Sequence, residues 1–182
     1  VLFRFLNASF AKIASHIVST GNFTLKNVQF VFVELSETGV AIKNTFILGI
    51  LSATAGTIMA VVIGYVTDRK LIAGYRVLGF LASAPIAIPG IVLGVGLFFS
   101  YTKGPVVLYG TLWILLIAFV TLTMPAAYQQ LQSAFRAVHP ELEDASRILG
   151  ATRLRSLWQI TAPLLRTSVI ATWCFIFVGV VR

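Results

Sequence analysis

Charge is scarce in this chain. Only 11% of its 182 residues are charged, against about 25% in an ordinary soluble domain, which is too little to cover a water-facing surface of this size. Cysteine is almost missing: Cys174, the one thiol, lies inside an apolar run. That excludes an internal disulfide and a Cys-ligated metal centre, and leaves a structural thiol. Histidine occurs twice, as His16 and His139, in separate regions without paired ligand spacing, so no metal site and no metal-dependent enzyme can be assembled from them. There is no Gly-rich phosphate loop of Walker type, and hence no nucleotide site, no cofactor motif and no catalytic constellation. No apolar run carries an acid or a basic residue at its centre, which argues against a proton-driven carrier.

What the chain does contain is apolar sequence: 58% of its residues are hydrophobic, in long runs rather than in alternation. About 20 such residues cross the hydrocarbon of a bilayer as a helix. The expected fold class is therefore all-α, a polytopic transmembrane helical bundle, as a single domain over 1–182. Spans are expected at about 41–66, 77–101 and 108–127, with a last one at 164–182 that is cut short. That short run, and a first residue that is Val1, point to a partial domain. Residues 1–20 carry Arg4, Lys12 and His16 and suit the tail of an earlier span or an interfacial helix; 21–39 is a polar connection.

Two spans have internal features. In the first, Ser52, Gly56, Ala60 and Gly64 recur every four residues on one helix face, the spacing that lets a second helix approach closely. The second contains Pro85, Pro89, Gly90, Gly94 and Gly96. Proline removes a backbone donor and breaks the helix, and in lipid the freed groups must find protein or a water-lined cavity. Pro85, Pro89 and Gly90 are thus candidates for a translocation pathway, with a kinked structural helix as the plainer alternative.

The net charge of +8 is explained by topology rather than by nucleic acid. Arg69, Lys70 and Arg76 follow the first span, and Arg136, Arg147, Arg153, Arg155 and Arg166 follow the third; only Lys103 lies between the second and third. Two crossings separate the basic loops, so they share a side, and the positive-inside rule makes that side cytoplasmic.

The cytoplasmic loop, 128–163, is the most informative segment. Pro140 suits the first position of a helix, and Glu141, Glu143 and Asp144 sit near its positive end. Leu142, Ala145 and Leu149 share an apolar side, and Glu143 and Arg147 are spaced to pair at i,i+4. Gly150 falls where a left-handed cap is needed, Thr152 can cap a second helix, and Pro163 is expected to end it. The result is a helix-turn-helix whose apolar face needs a membrane surface or a partner groove.

This segment resembles the signature (EAA) loop of binding-protein-dependent ABC importer permeases: Glu-Ala-Ala, three residues, Gly, nine residues, Ile, one residue, Leu-Pro. Asp144-Ala145-Ser146 stands for Glu-Ala-Ala, Gly150 and Ile160 hold register, and Ala162-Pro163 closes it; Asp, Ser and Ala are departures. Asn44-Thr45, the broken second span and Met124-Pro125 extend the resemblance. It implies the permease subunit of an ATP-driven importer in the bacterial inner membrane. Asp144, Ala145, Ser146, Gly150, Ile160 and Pro163 would then couple to a cytoplasmic ATPase subunit. The other implied partners are an extracytoplasmic substrate-binding protein, a second permease half or copy, and membrane lipid; nucleic acid is not one. ATP hydrolysis would belong to the partner, so the chain itself is no enzyme. Ala84-Pro85, Ile88-Pro89-Gly90 and Phe177 to Arg182 are most similar to iron(III)-type permeases, making ferric iron the implied substrate, although phosphonate, thiamine, sulfate and polyamine permeases are alike here. The rival reading is a secondary transporter, or another polytopic membrane protein whose loop helix lies on the headgroups.

Overall fold

A computed structural model of the chain describes residues 36–103 and 106–182. The expectations for residues 1–20 and for 21–35 fall outside the described residues, whereas Ser36 onward is already helical. Phe46–Arg182 forms a compact unit, and the core of the described residues lies within it.

Every regular element among the described residues is helical. α1 is Ser36–Asp68, α2 Tyr75–Ser83, followed by a 3-10 turn at Ala84–Ala87, and α3 is Gly90–Thr102. α4 is Leu112–Ala137, α5 Pro140–Ile148 and α6 Arg153–Ser156; a π turn at Leu157–Thr161 then leads into α7, Ala162–Val181. Among the described residues three rods are long and apolar enough to cross a membrane: Thr38–Asp68, Leu112–Ala137 and Arg153–Val181. Ile58, Val62, Ile91, Ile170 and Val178 are all more than half exposed, a surface suited to lipid and not to water.

The small-residue stripe of α1 is where its neighbours pack. Ser52 and Ala60 are fully buried. A Cβ on Gly56 would lie 3.1 Å from Ile176 Cδ1 of α7, and one on Gly64 would lie 3.0 Å from the Phe135 ring of α4. The core around them joins Ala53, Ala60, Met124, Leu131, Phe135, Leu165 and Ile176. In lipid there is no hydrophobic force between helices, so this close approach is what holds them together.

Contact order along the helices fixes their directions. Gly56 lies near Thr123 and Gly64 near Leu131 and Phe135, so α1 and α4 run parallel. Gly49 meets Val181 and Phe177, and Gly56 meets Ile176, so α7 runs antiparallel to both. A chain that leaves α1 at Asp68 and enters a parallel α4 at Leu112 has to return across the same thickness. It does so along α4: Gly79 faces Tyr128, Gly90 faces Leu122, and Leu108 bonds back to Tyr101 just before α4 begins.

That returning segment is not one straight helix. Tyr75–Ala87 and Gly90–Thr102 meet at 105°. Pro85 sits in the 3-10 turn, and Ile88 and Pro89 are extended, with ψ 116° and 137°. A proline ring disfavours helical backbone in the residue before it, so Pro89 ends one helix and starts the next.

Candidate coupling loop and the polar joint beneath it

The ends of α1 and α4 lie side by side, and α5 folds across them. Val138 closes α4, and Pro140 opens α5 at its first turn with Glu141 and Glu143, the residues favoured at a positive helix end. Glu143 then turns inward. Its side chain is only 10% exposed, and its carboxylate is the centre of a polar joint. Oε1 accepts from Arg69 Nε at 3.1 Å, Arg69 Nη2 at 3.0 Å and Thr161 Oγ1 at 2.7 Å, and Oε2 accepts from Tyr65 OH at 3.3 Å. Arg69 also donates to Val138 O at 3.2 Å and to Asp68 Oδ2 at 2.7 Å. One ion pair thus fastens the end of α1, the end of α4, the loop helix and the π turn. Charge-assisted bonds of this kind are about twice as strong as neutral ones.

A second contact sets α5 against α6. Ser156 Oγ donates to Thr152 O at 3.2 Å, so Ser146 donates to Ser156 across 3.0 Å. Between the two helices Gly150 takes φ +89°, the left-handed conformation expected of it. Its N–H reaches Arg147 O and that of Ala151 reaches Ser146 O. Thr152 caps α6, accepting from Arg155 N at 3.3 Å.

Two local expectations are corrected. Glu143 does not pair with Arg147: it is drawn inward by Arg69, and Arg147 instead lies 3.6 Å from Asp144. Pro163 does not end the second loop helix: Arg153–Val181 is continuous. The π turn at Leu157–Thr161 lies immediately before Pro163, a wider winding that accommodates the missing N–H. The second loop helix is therefore the first turn of the last membrane rod.

What remains outside is the tip. Ile148 and Leu149 are 86% and 89% exposed, with Leu142, Leu154 and Trp158 also exposed. Asp144 and Ala145 point outward beside them, Ser146 is half-buried at the α5–α6 contact, Ile160 is half-buried in the π turn, and Pro163 is exposed. The sequence-predicted loop residues thus divide into an outer group (Asp144, Ala145) and a hinge group (Ser146, Gly150, Ile160, Pro163). Glu143, Arg69, Tyr65 and Thr161 were missed, since no sequence spacing joins residues 74 apart. Pro85, Pro89 and Gly90 lie together at the break between α2 and α3, away from the loop.

A bundle of apolar rods long enough to cross a membrane, with a loop seated on it through buried charged bonds, defines a polytopic helical membrane protein. The family model for the binding-protein-dependent transport system inner membrane component matches residues 52–182, and the chain belongs to that family. It is similar to the ferric transport system permease protein FbpB of Actinobacillus pleuropneumoniae, at 27% identity over 85% of this chain and 23% of the relative. A molybdate/tungstate transport system permease, WtpB of Pyrococcus abyssi, is 27% identical over 71% of this chain and 51% of the relative. A protein described as the putative ABC transporter permease protein ORF1 of Streptomyces antibioticus is 30% identical over 85% of this chain and 66% of the relative. The chain thus spans from about a quarter to two thirds of the length of these relatives.

Proposed function

We propose that the chain is a membrane-spanning part of an ATP-driven importer, forming one side of the translocation pathway and passing motion from a cytoplasmic ATPase subunit to the spans. The observation that carries this is the loop: its apolar tip at Ile148 and Leu149 is exposed while its base is fixed through Glu143 and Arg69. A tip that cannot bury itself needs a groove, and a base tied by charged bonds transmits a push instead of absorbing it. Asp144 and Ala145 contact the ATPase in this reading, while Ser146, Gly150, Ile160 and Pro163 hold the angle of the lever. The basic side is cytoplasmic, in the inner membrane of a bacterium. An extracytoplasmic binding protein delivers cargo on the other side, and a second permease half completes the pathway past Pro85, Pro89 and Gly90.

For the cargo we infer ferric iron, which the ferric-system relative supports over 85% of the chain. The molybdate/tungstate-system relative is equally identical and keeps an oxyanion cargo as the competing reading. Calorimetry on the purified binding protein separates them: nanomolar ferric binding supports the first, and tungstate binding without ferric binding replaces it. The coupling reading is tested by cross-linking. In the complete complex, Leu149→Cys in a Cys174→Ser background should cross-link to the ATPase subunit; cross-linking to lipid reagents alone would mean a headgroup-bound helix.

A further inference from the structure

Between the end of α1, the start of α2 and the last third of α4 lies a polar cavity with a volume of about 440 Å³. It has room for on the order of fifteen waters. Lys70, Arg76 and Arg136 line it, together with Thr67, Asp68, Tyr128 and Gln132. Among the described residues Asp68 is the one acid lining it, and its carboxylate is engaged by Arg69 at 2.7 Å. Among the described residues no carboxylate lies within ion-pair distance of Lys70, Arg76 or Arg136.

The positive-inside bias requires only that cations lie in these loops. It does not require that three of them line one cavity with a built polar floor. That floor is specific: Tyr128 and Thr67 are buried, Tyr128 OH donates to Thr67 Oγ1 at 3.2 Å, and Gln132 Nε2 donates to Tyr128 OH at 2.8 Å. The second N–H of Gln132 is left for a ligand. Gly79 permits the arrangement, because a Cβ there would stand 2.7 Å from Tyr128 OH. α2 begins at the cavity with no side-chain cap and no acid in its first turn, so its positive end adds to the field.

Lys70 supplies an independent observation. It has φ +50°, the one non-glycine residue with positive φ among those described. It occupies the left-handed cap of α1, where Leu71 N bonds to Val66 O at 3.0 Å, a position that glycine fills at least cost. A lysine in that place accepts backbone strain at the rim of the cavity, and strain of this kind gathers at ligand sites.

We propose that this cavity binds a phosphate-type oxyanion, held by Lys70, Arg76 and Arg136 with Gln132 as a neutral donor. The proposal stands on the cavity alone and is independent of the coupling loop and of the cargo. A free oxyanion and the phosphate of an anionic lipid present the same chemistry, and the test distinguishes them. The complete permease is placed in nanodiscs of neutral phosphatidylcholine and titrated with orthophosphate, and separately in nanodiscs containing phosphatidylglycerol without orthophosphate; thermal stabilisation and lipids retained in native mass spectrometry are read. Lys70→Gly suits the left-handed backbone and keeps the fold while removing the cation; Arg136→Gln is the second variant. Each should weaken the response by about tenfold, the scale of one charge-assisted contact. Stabilisation by orthophosphate in neutral discs, lost in both variants, assigns a soluble oxyanion. A response confined to phosphatidylglycerol, lost in both variants, assigns a lipid headgroup. No response in either arm, or a response that both variants retain, overturns the site.

Discussion

Arg69 at the end of α1 and Glu143 in the first turn of α5, 74 residues apart in sequence, form an ion pair of 3.0 Å with both side chains about nine-tenths buried. A pair so enclosed is costly to break from one side, because the remaining charge is left without a partner; the usual cost is about 3–5 kcal/mol. Arg69→Ala or Glu143→Ala should therefore loosen the loop in the complete permease, seen as faster amide exchange over Pro140–Ile148. Arg69→Met with Glu143→Leu should recover part of the loss. Unchanged exchange in both single variants would show that the joint does not hold the loop.

The approach of α1 to α4 sets a second expectation. A Cβ on Gly64 would already press on the buried Phe135 ring at 3.0 Å, and overpacking a core contact costs about 1–3 kcal/mol. Gly64→Val should lower the midpoint of thermal unfolding in detergent, and Gly39→Val, where nothing among the described residues lies within 4 Å, should lower it less.

Much of this architecture was legible in the sequence because membrane constraints are severe. Apolar run length, the stripe from Ser52 to Gly64 and the helix-breaking prolines at Pro85 and Pro89 each act locally, and the structure shows their expected effects at those residues. The loop was legible as far as its local chemistry went: Pro140 opening a helix, Thr152 capping one, Gly150 left-handed. Tertiary competition was not legible. Glu143 satisfies the i,i+4 rule with Arg147, yet Arg69 outbids it, because a buried guanidinium offers two donors where an exposed one offers a screened contact. Pro163 carries a stop signal, yet a π turn absorbs it and the rod continues.

Helix direction and charge predict the same topology. With α1 and α4 parallel, Lys103 and Leu149 are expected on opposite sides of the membrane. In a Cys174→Ser background, an impermeant thiol reagent added outside intact cells should label Lys103→Cys and leave Leu149→Cys unlabelled until the membrane is opened. The reverse pattern would invert the orientation and place the basic loops outside.

Gly79 predicts a selective lesion. Adding a methyl group would place it 2.7 Å from Tyr128 OH, forcing apart the Tyr128–Thr67 bond of 3.2 Å. Gly79→Ala should destabilise the permease, and Gly79→Ala with Tyr128→Phe should be milder than the two single effects added together, measured as a double-mutant cycle.

In the proposed function the loop is a lever driven by a separate ATPase. Asp144 is exposed at its tip and Gly150 holds its bend at φ +89°, where a branched side chain costs about 1–2 kcal/mol of backbone strain. The most direct measurement is cargo uptake and binding-protein-stimulated ATP hydrolysis by the complete complex in proteoliposomes, for wild type, Asp144→Arg and Gly150→Val. Both variants should insert at normal levels, with uptake and stimulated hydrolysis reduced by about tenfold or more while the binding protein still binds its ligand. Normal uptake by both variants would show that the loop receives no drive from an ATPase and leave it as a helix resting on the headgroups.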